Sequence, residues 1–356
     1  MSETTLAPTQ TGTIPRAGLQ YPWPAAPATG HTIEIRPGVH WMRLPLPMAL
    51  DHVNAYALDD GDGWTVVDPG IDTPACRAAL QAVLDGPLAA KPVTRVVVTH
   101  YHPDHIGLAG WLQAKGASLW TTRTSWLQAR MLQLDAQDRP APETLAFWRA
   151  AGMDATIYDT RQNERPFNFA DCVHPLPLGY RRVVAGQWLK MGGRDWVVRI
   201  GHGHAPEHAT FWSDDLVLGG DQLLPSISAN LGVYASEPDA DPVQDWIDSA
   251  RAMQPFASDA QLILPGHKLP FTGLPLRLNQ MIENHSGALR RLRAHLETGA
   301  KTACDCFPPL FKRQIDAGTY GLALVEAVAH LNHLWHREEV RRDIQRETGV
   351  WYWSLR

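Results

Sequence analysis

The sequence predicts an α/β fold in which two β-sheets pack against each other with helices outside. Three observations carry this. Short apolar or β-branched runs recur along the chain, and several end in glycine, proline or an ionisable residue. The order of strands then helices occurs twice. Segments with helical apolar spacing lie between and after those repeats. A chain of 356 residues is long enough for one large core plus a smaller unit.

The elements follow in order. Residues 1–30 are rich in Pro, Thr, Ala and Gly and read as a flexible or loosely docked arm. Residues 32–35, 39–44, 55–58 and 65–67 read as a β-meander, with Gly61-Asp62-Gly63 as the turn between the last two strands. Residues 74–85 have helical spacing with Pro74 at the start. Residues 93–99 are β-branched, mostly apolar and few, as in a buried strand, and 106–112 open a helical pattern. Residues 124–170 then interrupt the alternation. Within them, 125–134 and 142–152 read as two helices, the second ended by Gly152. This insert suits a lid or wall of a pocket; a dimer contact or extra packing is the alternative. Residues 197–200, 216–218 and 262–264 read as three more strands. Residues 276–298 form a long amphipathic helix with Arg290, Arg291 and Arg293, residues 320–334 another, and 340–353 two strands around Thr348-Gly349.

The chemistry is concentrated at strand ends. His100-Tyr101-His102-Pro103-Asp104-His105 packs three imidazoles and a carboxylate into six residues. It follows strand 93–99, and open α/β folds place their chemistry at the carboxyl ends of strands. Imidazoles and carboxylates are the ligands that Zn²⁺ and similar divalent ions take. His100 and His102 are two apart, so on an extended backbone they point the same way and can grip one ion. Asp104 and His105 follow the bend at Pro103 and can grip a second. Three later strands also run into ligand-type residues: His202, His204 and His208 in 201–208, Asp221 after Gly219-Gly220, and His267 after Pro265-Gly266. A histidine-rich polar turn would explain the first cluster alone, but not the whole set.

These residues resemble the metallo-β-lactamase superfamily. The resemblance rests on H-x-H-x-D-H at 100–105, G-H-A-P-E-H at 203–208, G-G-D at 219–221 and P-G-H at 265–267. Asp68-Pro69-Gly70 after strand 65–67 fits the family's strand-then-D-x-G piece. Residues 33–270 are covered. The resemblance implies an αββα sandwich over 31–272, with the helical insert at about 124–170, and a small C-terminal winged-helix-like domain over 273–356. It implies a first metal on His100, His102 and His204, and a second on Asp104, His105 and His267. Asp221 would bridge them and Asp68 would support the ligand loops. His204, in the Gly-His-x-Pro segment, is then the ligand rather than His202. His208 reads as a packing or supporting histidine; His52 lies in a loop that borders the site in related proteins, but it reads first as an exposed turn histidine.

The reaction expected from the resemblance is hydrolysis. Two divalent ions, Zn²⁺ first and Fe or Mn as alternatives, hold a hydroxide that Asp104 orients. Branches with a bridging aspartate include thioesterases, lactonases and nucleases. A small-metabolite thioester or ester of the hydroxyacylglutathione or acyl-CoA type is favoured. A phosphodiesterase or endoribonuclease is the alternative, with lactonase and mononuclear iron persulfide dioxygenase behind it. Net charge is −5, which leaves no basic footprint for nucleic acid or an anionic membrane. No apolar run is long enough to span a bilayer, and the opening residues lack the basic and apolar regions of a secretory signal. The four cysteines are too few for a disulfide scaffold and read as free thiols of a cytoplasmic protein. The expected partner is a small-molecule substrate; a homodimer is also compatible.

Overall fold

The computed structural model describes residues 18–311 and 313–356. Strands β1 (Ile33–Arg36), β2 (Val39–Pro45), β3 (His52–Asp59) and β4 (Trp64–Val67) pair antiparallel in sequence order. Helix α1 (Pro74–Asp85) returns the chain to β5 (Val93–Val97), which is parallel to β4. Thr73 caps α1, Pro74 opens it, and Cys76, Ala79, Leu80 and Val83 form its buried stripe. Two short helices, α2 (Pro103–Ile106) and α3 (Ala109–Ala114), lead to β6 (Ser118–Thr121). The insert follows as α4 (Arg123–Leu134), α5 (Pro142–Ala150) and α6 (Ala155–Arg161), and β7 (Arg181–Arg182) completes a seven-stranded sheet in the order β1 to β7. Helix α6 is not anticipated from the sequence because none of its residues is buried, so it has no apolar stripe to read.

The second sheet is built from β8 (Trp188–Met191), β9 (Arg194–Gly201), β10 (His208–Trp212) and β11 (Leu216–Gly220), all antiparallel. After α7 (Pro242–Met253), β12 (Leu262–Pro265) joins β11 in parallel. The sequence does not announce β10, a fully buried His-Ala-Thr-Phe-Trp segment with no β-branched run. Helix α7 does carry signals, an Asp241 cap and Pro242 at its first turn.

The sheets pack face to face. Ile35, Trp41, Tyr56 and Leu58 from the first meet Trp196, Val198, Phe211 and Leu264 from the second. The outer face of the first sheet is covered by α1 and α3. The outer face of the second is covered by α7, α8 (Leu274–Leu296) and α10 (Tyr320–His336), with α9 (Phe307–Leu310) between them. The result is the expected αββα sandwich. A hairpin of β13 (Val340–Ile344) and β14 (Trp351–Leu355) ends the chain. Leu278, Leu324 and Trp353 from this C-terminal segment share one continuous core with Val217 and Ile263 of the second sheet.

Residues 1–17 of the expected arm lie outside the described residues. The remainder is not loose. Trp23 is buried edge-on against Trp41 at 6.4 Å, and Gln20 pairs with Thr272 through backbone hydrogen bonds. Burial of one indole fixes a segment that composition alone marks as mobile.

Candidate metal centre

The site is assembled where β4, β5, β9, β11 and β12 end. Asp68 follows β4 with φ of 53°, a left-handed conformation that a non-glycine residue adopts at a cost. Its carboxylate accepts from the Thr99 amide at 2.8 Å, from Thr99 Oγ1 at 2.8 Å and from His105 Nδ1 at 2.9 Å. Because Thr99 Oγ1 donates to Asp68, it accepts from His100 Nδ1, 3.0 Å away. One aspartate therefore fixes the tautomers of two imidazoles and turns their Nε2 lone pairs inward.

Two more imidazoles are fixed by backbone carbonyls. His204 Nδ1 donates to Asn230 O at 2.9 Å, and His267 Nδ1 donates to His52 O at 2.7 Å. The inward atoms converge. His267 Nε2 lies 3.2 Å from Asp221 Oδ2 and 3.4 Å from Asp104 Oδ2. His105 Nε2 lies 3.4 Å from Asp221 Oδ1 and 3.6 Å from Asp104 Oδ2, and His204 Nε2 is 3.5 Å from Asp221 Oδ2. His102 turns its Nδ1 to within 2.9 Å of His100 Nε2. Three overlapping triads each bring their ligand atoms within 4.8 Å of one another: His100, His102 and His204; His100, His105 and Asp221; Asp104, His105 and His267. Such groups can hold metal ions.

The residues fit a bound cation by an independent criterion. His105 Nε2, His204 Nε2 and Asp221 Oδ1 are buried polar atoms with no hydrogen-bond partner among the described residues. A buried polar atom without a partner is costly, and cations bound within the cluster would satisfy these three. Charge points the same way. Burial works against protonation of His105 and His267, but the carboxylates of Asp221 and Asp104 overcome it. They hold His105 well above the usual histidine range and His267 at about 10. Burial pushes His102 down to about 3 and His100 well down, as neutral ligands require.

Glycine makes the convergence possible. A Cβ on Gly266 would lie 2.2 Å from Asp221 Oδ1 and 2.8 Å from His105 Cε1. Only a hydrogen fits there.

All seven sequence candidates, His100, His102, Asp104, His105, His204, Asp221 and His267, meet in this cluster. His202 does not; its Nδ1 donates to Pro206 O and its ring is exposed. His208 is buried behind the cluster. It stacks on His100 at 4.5 Å between ring centroids, and its Nε2 accepts from the Asp221 amide at 3.0 Å. His52 is a buried residue at the start of β3 and not an exposed turn histidine: it holds His267 through its carbonyl and the Lys268 amide through Nε2. Sequence reasoning missed Thr99, Asn54, Tyr56 and Asn230. Asn54 Nδ2 and the Tyr56 hydroxyl on β3 both donate to Pro265 O, so the first sheet grips the turn that carries His267. No local pattern marks these residues, because their partners are far away in the chain.

Known proteins share this architecture. Residues 48–267 match the family described as Metallo-beta-lactamase superfamily, and residues 289–355 match Metallo-beta-lactamase-like, C-terminal domain. The chain is 25% identical over 309 residues to Probable metallo-hydrolase YqjP of Bacillus subtilis (strain 168), a match that covers 84% of this chain and 92% of the relative. A crystal structure of a Beta-lactamase domain protein from Burkholderia ambifaria is similar at 35% identity and a TM-score of 0.86, over 95% of this chain and 98% of that one. A metallo-beta-lactamase family protein from Thermus thermophilus is similar at 26% identity and a TM-score of 0.74, over 91% of this chain and all of that one.

Proposed function

Because the chain belongs to the metallo-β-lactamase superfamily, we propose that its histidine–aspartate cluster is a two-cation centre that hydrolyses a thioester or ester of a small metabolite. The chain is a metal-dependent hydrolase. The ion count, zinc as the metal and the substrate class are the proposal, with iron or manganese as the alternative metals. The carrying observation is Asp221. Its two oxygens lie within 3.5 Å of His105, His204 and His267, so one carboxylate touches both halves of the cluster.

His100, His102 and His204 would hold one cation, Asp104, His105 and His267 the other, and Asp221 would face both. Such cations would supply the acidified water and the polarisation of a scissile carbonyl that hydrolysis needs. The chain supplies the geometry. Asp68, Thr99, Asn230 and His52 O hold the ring nitrogens in one tautomer, so no rearrangement is needed during turnover. Asp104 Oδ2 sits on the His105–His267 side and is placed to orient the attacking water.

A carbonyl substrate is favoured over a nucleic acid because the net charge is −5 and four of the C-terminal arginines are paired. Arg342 pairs with Asp239 and lies over the Trp335 and Trp351 rings, Arg341 pairs with Asp343, and Arg293 and Arg337 share Glu339. That pairing and the net negative charge weaken the field that would attract phosphates. We place the enzyme in the cytoplasm, since all four cysteines are free thiols. No helix among the described residues is long and apolar enough to cross a membrane.

The test combines elemental analysis with a panel of thioesters, esters, a lactone and bis-p-nitrophenyl phosphate. Two equivalents of metal and fastest turnover of a thioester or ester are expected. One equivalent that Asp221→Ala does not change, or a clear preference for the phosphodiester, would overturn the reading.

A further inference from the structure

A cavity of about 410 Å³ lies between α8, α10 and the loop at 226–228. None of the seven cluster residues lines it. Its volume is in the range that takes small molecules.

The cavity presents two buried imidazoles of fixed polarity and one half-buried carboxyl. His330 Nδ1 donates to the Glu326 carbonyl at 2.8 Å, so its Nε2 is an acceptor. His285 Nδ1 donates to that Nε2 at 3.2 Å. His285 is therefore left with a lone pair on its own Nε2, which has no hydrogen-bond partner among the described residues. His285 is 4% exposed and His330 2%. Burial pushes His285 down to about 3 and His330 to about 4, which keeps the chain of donors neutral and its direction set. The third group is the Glu326 carboxyl. Its Oε2 accepts from Asn230 Nδ2 at 2.8 Å, and the other oxygen is unpaired among the described residues. Burial pushes this carboxyl up to about 7.

Two groups at the cavity wall, the Nε2 of the buried His285 ring and one oxygen of the half-buried Glu326 carboxyl, have no protein donor among the described residues and suit a ligand that donates and carries positive charge. A cation that donates to both would gain charge-assisted hydrogen bonds in a partly enclosed site. The exposed rim does not reverse this. Glu283 and Arg291 have opposite charges, and Arg291 Nε is already spent on Pro309 O. Arg313 acts on Glu326 through space and forms no ion pair with it among the described residues. A metal ion is not indicated, because no convergent ligand triad among the described residues includes these groups.

We infer that this cavity binds the primary ammonium group of a small organic cation, seated on the Glu326 carboxylate and the Nε2 lone pair of His285. Ser226 and Ser228 offer further acceptors at the wall. The occupant would be read by the metal centre. Asn230 ties Glu326 through its side chain and holds His204 Nδ1 through its carbonyl, so two hydrogen bonds separate the cavity from a cluster imidazole. The ammonium can belong to the substrate or to a separate small molecule. The inference does not depend on the ester reading.

Three probes with one carbon skeleton test it: 1,5-diaminopentane, 1,5-pentanediol and glutarate. Each is titrated calorimetrically into the full-length, metal-loaded protein, with metal content measured before and after. The diamine is expected to saturate and to bind at least about tenfold more tightly than the other two. Glu326→Gln keeps the acceptor for Asn230 and removes the charge, and should weaken the diamine at least about tenfold with metal content unchanged. Nitrogen-15 resonances of His285 should shift with the diamine alone. Competition with a hydrolysed ester would place the ammonium on the substrate; binding without competition would place it on a separate ligand. No saturable diamine binding at millimolar concentration, glutarate or the diol binding as well, or an indifferent Glu326→Gln would overturn the inference.

Discussion

Asp104 lies between the His105 and His267 imidazoles, in the first turn of the short helix α2 and outside the hydrophobic core. Asp104→Asn keeps its shape and removes its charge. Turnover should fall by at least about 10²-fold and the metal count should drop, while unfolding by denaturant is nearly unchanged. His202→Ala should leave metal content intact and His204→Ala should not, because only His204 turns its Nε2 toward Asp221. Elemental analysis of the three variants beside kinetics checks both statements. The same carboxylates give metal uptake a pH dependence. They raise His105 and His267, the latter to about 10, so both imidazoles carry protons at neutral pH when no cation competes. A divalent ion must displace those protons. Affinity should therefore rise with pH between about 6 and 9 and fall on acidification, with proton release visible as buffer-dependent binding heats. A flat profile would count against this protonation pattern.

At the scale of elements, the ligands belong to strand ends, and strand ends are held by neighbours. The turn after β12 shows this. Its glycine lies against Asp221 and His105, and its preceding carbonyl is gripped by Asn54 and Tyr56 of β3. Gly266→Ala should push Asp221 and His105 apart and strip most of the metal while leaving the circular dichroism spectrum near wild type. Retention of full metal occupancy would show that the turn can yield. The strands that end in ligands were legible because each combines an apolar run with punctuation by glycine, proline or histidine. Strand β10 and helix α6 were not, because one has no β-branched run and the other no buried face.

At the scale of the whole molecule, the C-terminal segment shares the core beneath the second sheet. Leu324 on α10 is fully buried in that shared core. Leu324→Ala should cost about 2–5 kcal/mol, and chemical denaturation should still give one cooperative transition. A separate early transition would mean that residues 273–356 unfold on their own. The paired arginines make a related statement about partners. Short RNA should bind weakly at physiological salt, and changing Arg341 and Arg342 to alanine should alter that binding little. Tight binding lost in the double variant would favour the nuclease alternative.

The sequence by itself determined the two-sheet architecture and the seven members of the cluster. Short apolar runs and ligand-type residues near strand ends are local signals, and the resemblance to the superfamily selected the seven among those residues, His204 rather than His202 included. The tertiary structure decided how those members are oriented. Asp68 reaches His105 across 37 positions, His52 reaches His267 across 215, and Asn230 joins His204 to Glu326 on α10. It also decided that residues 18–30 dock through Trp23 and that two buried histidines and a glutamate share a cavity between α8 and α10. Hydrogen bonds between distant residues depend on where the sheets and helices finally pack, and composition and spacing carry no record of that packing.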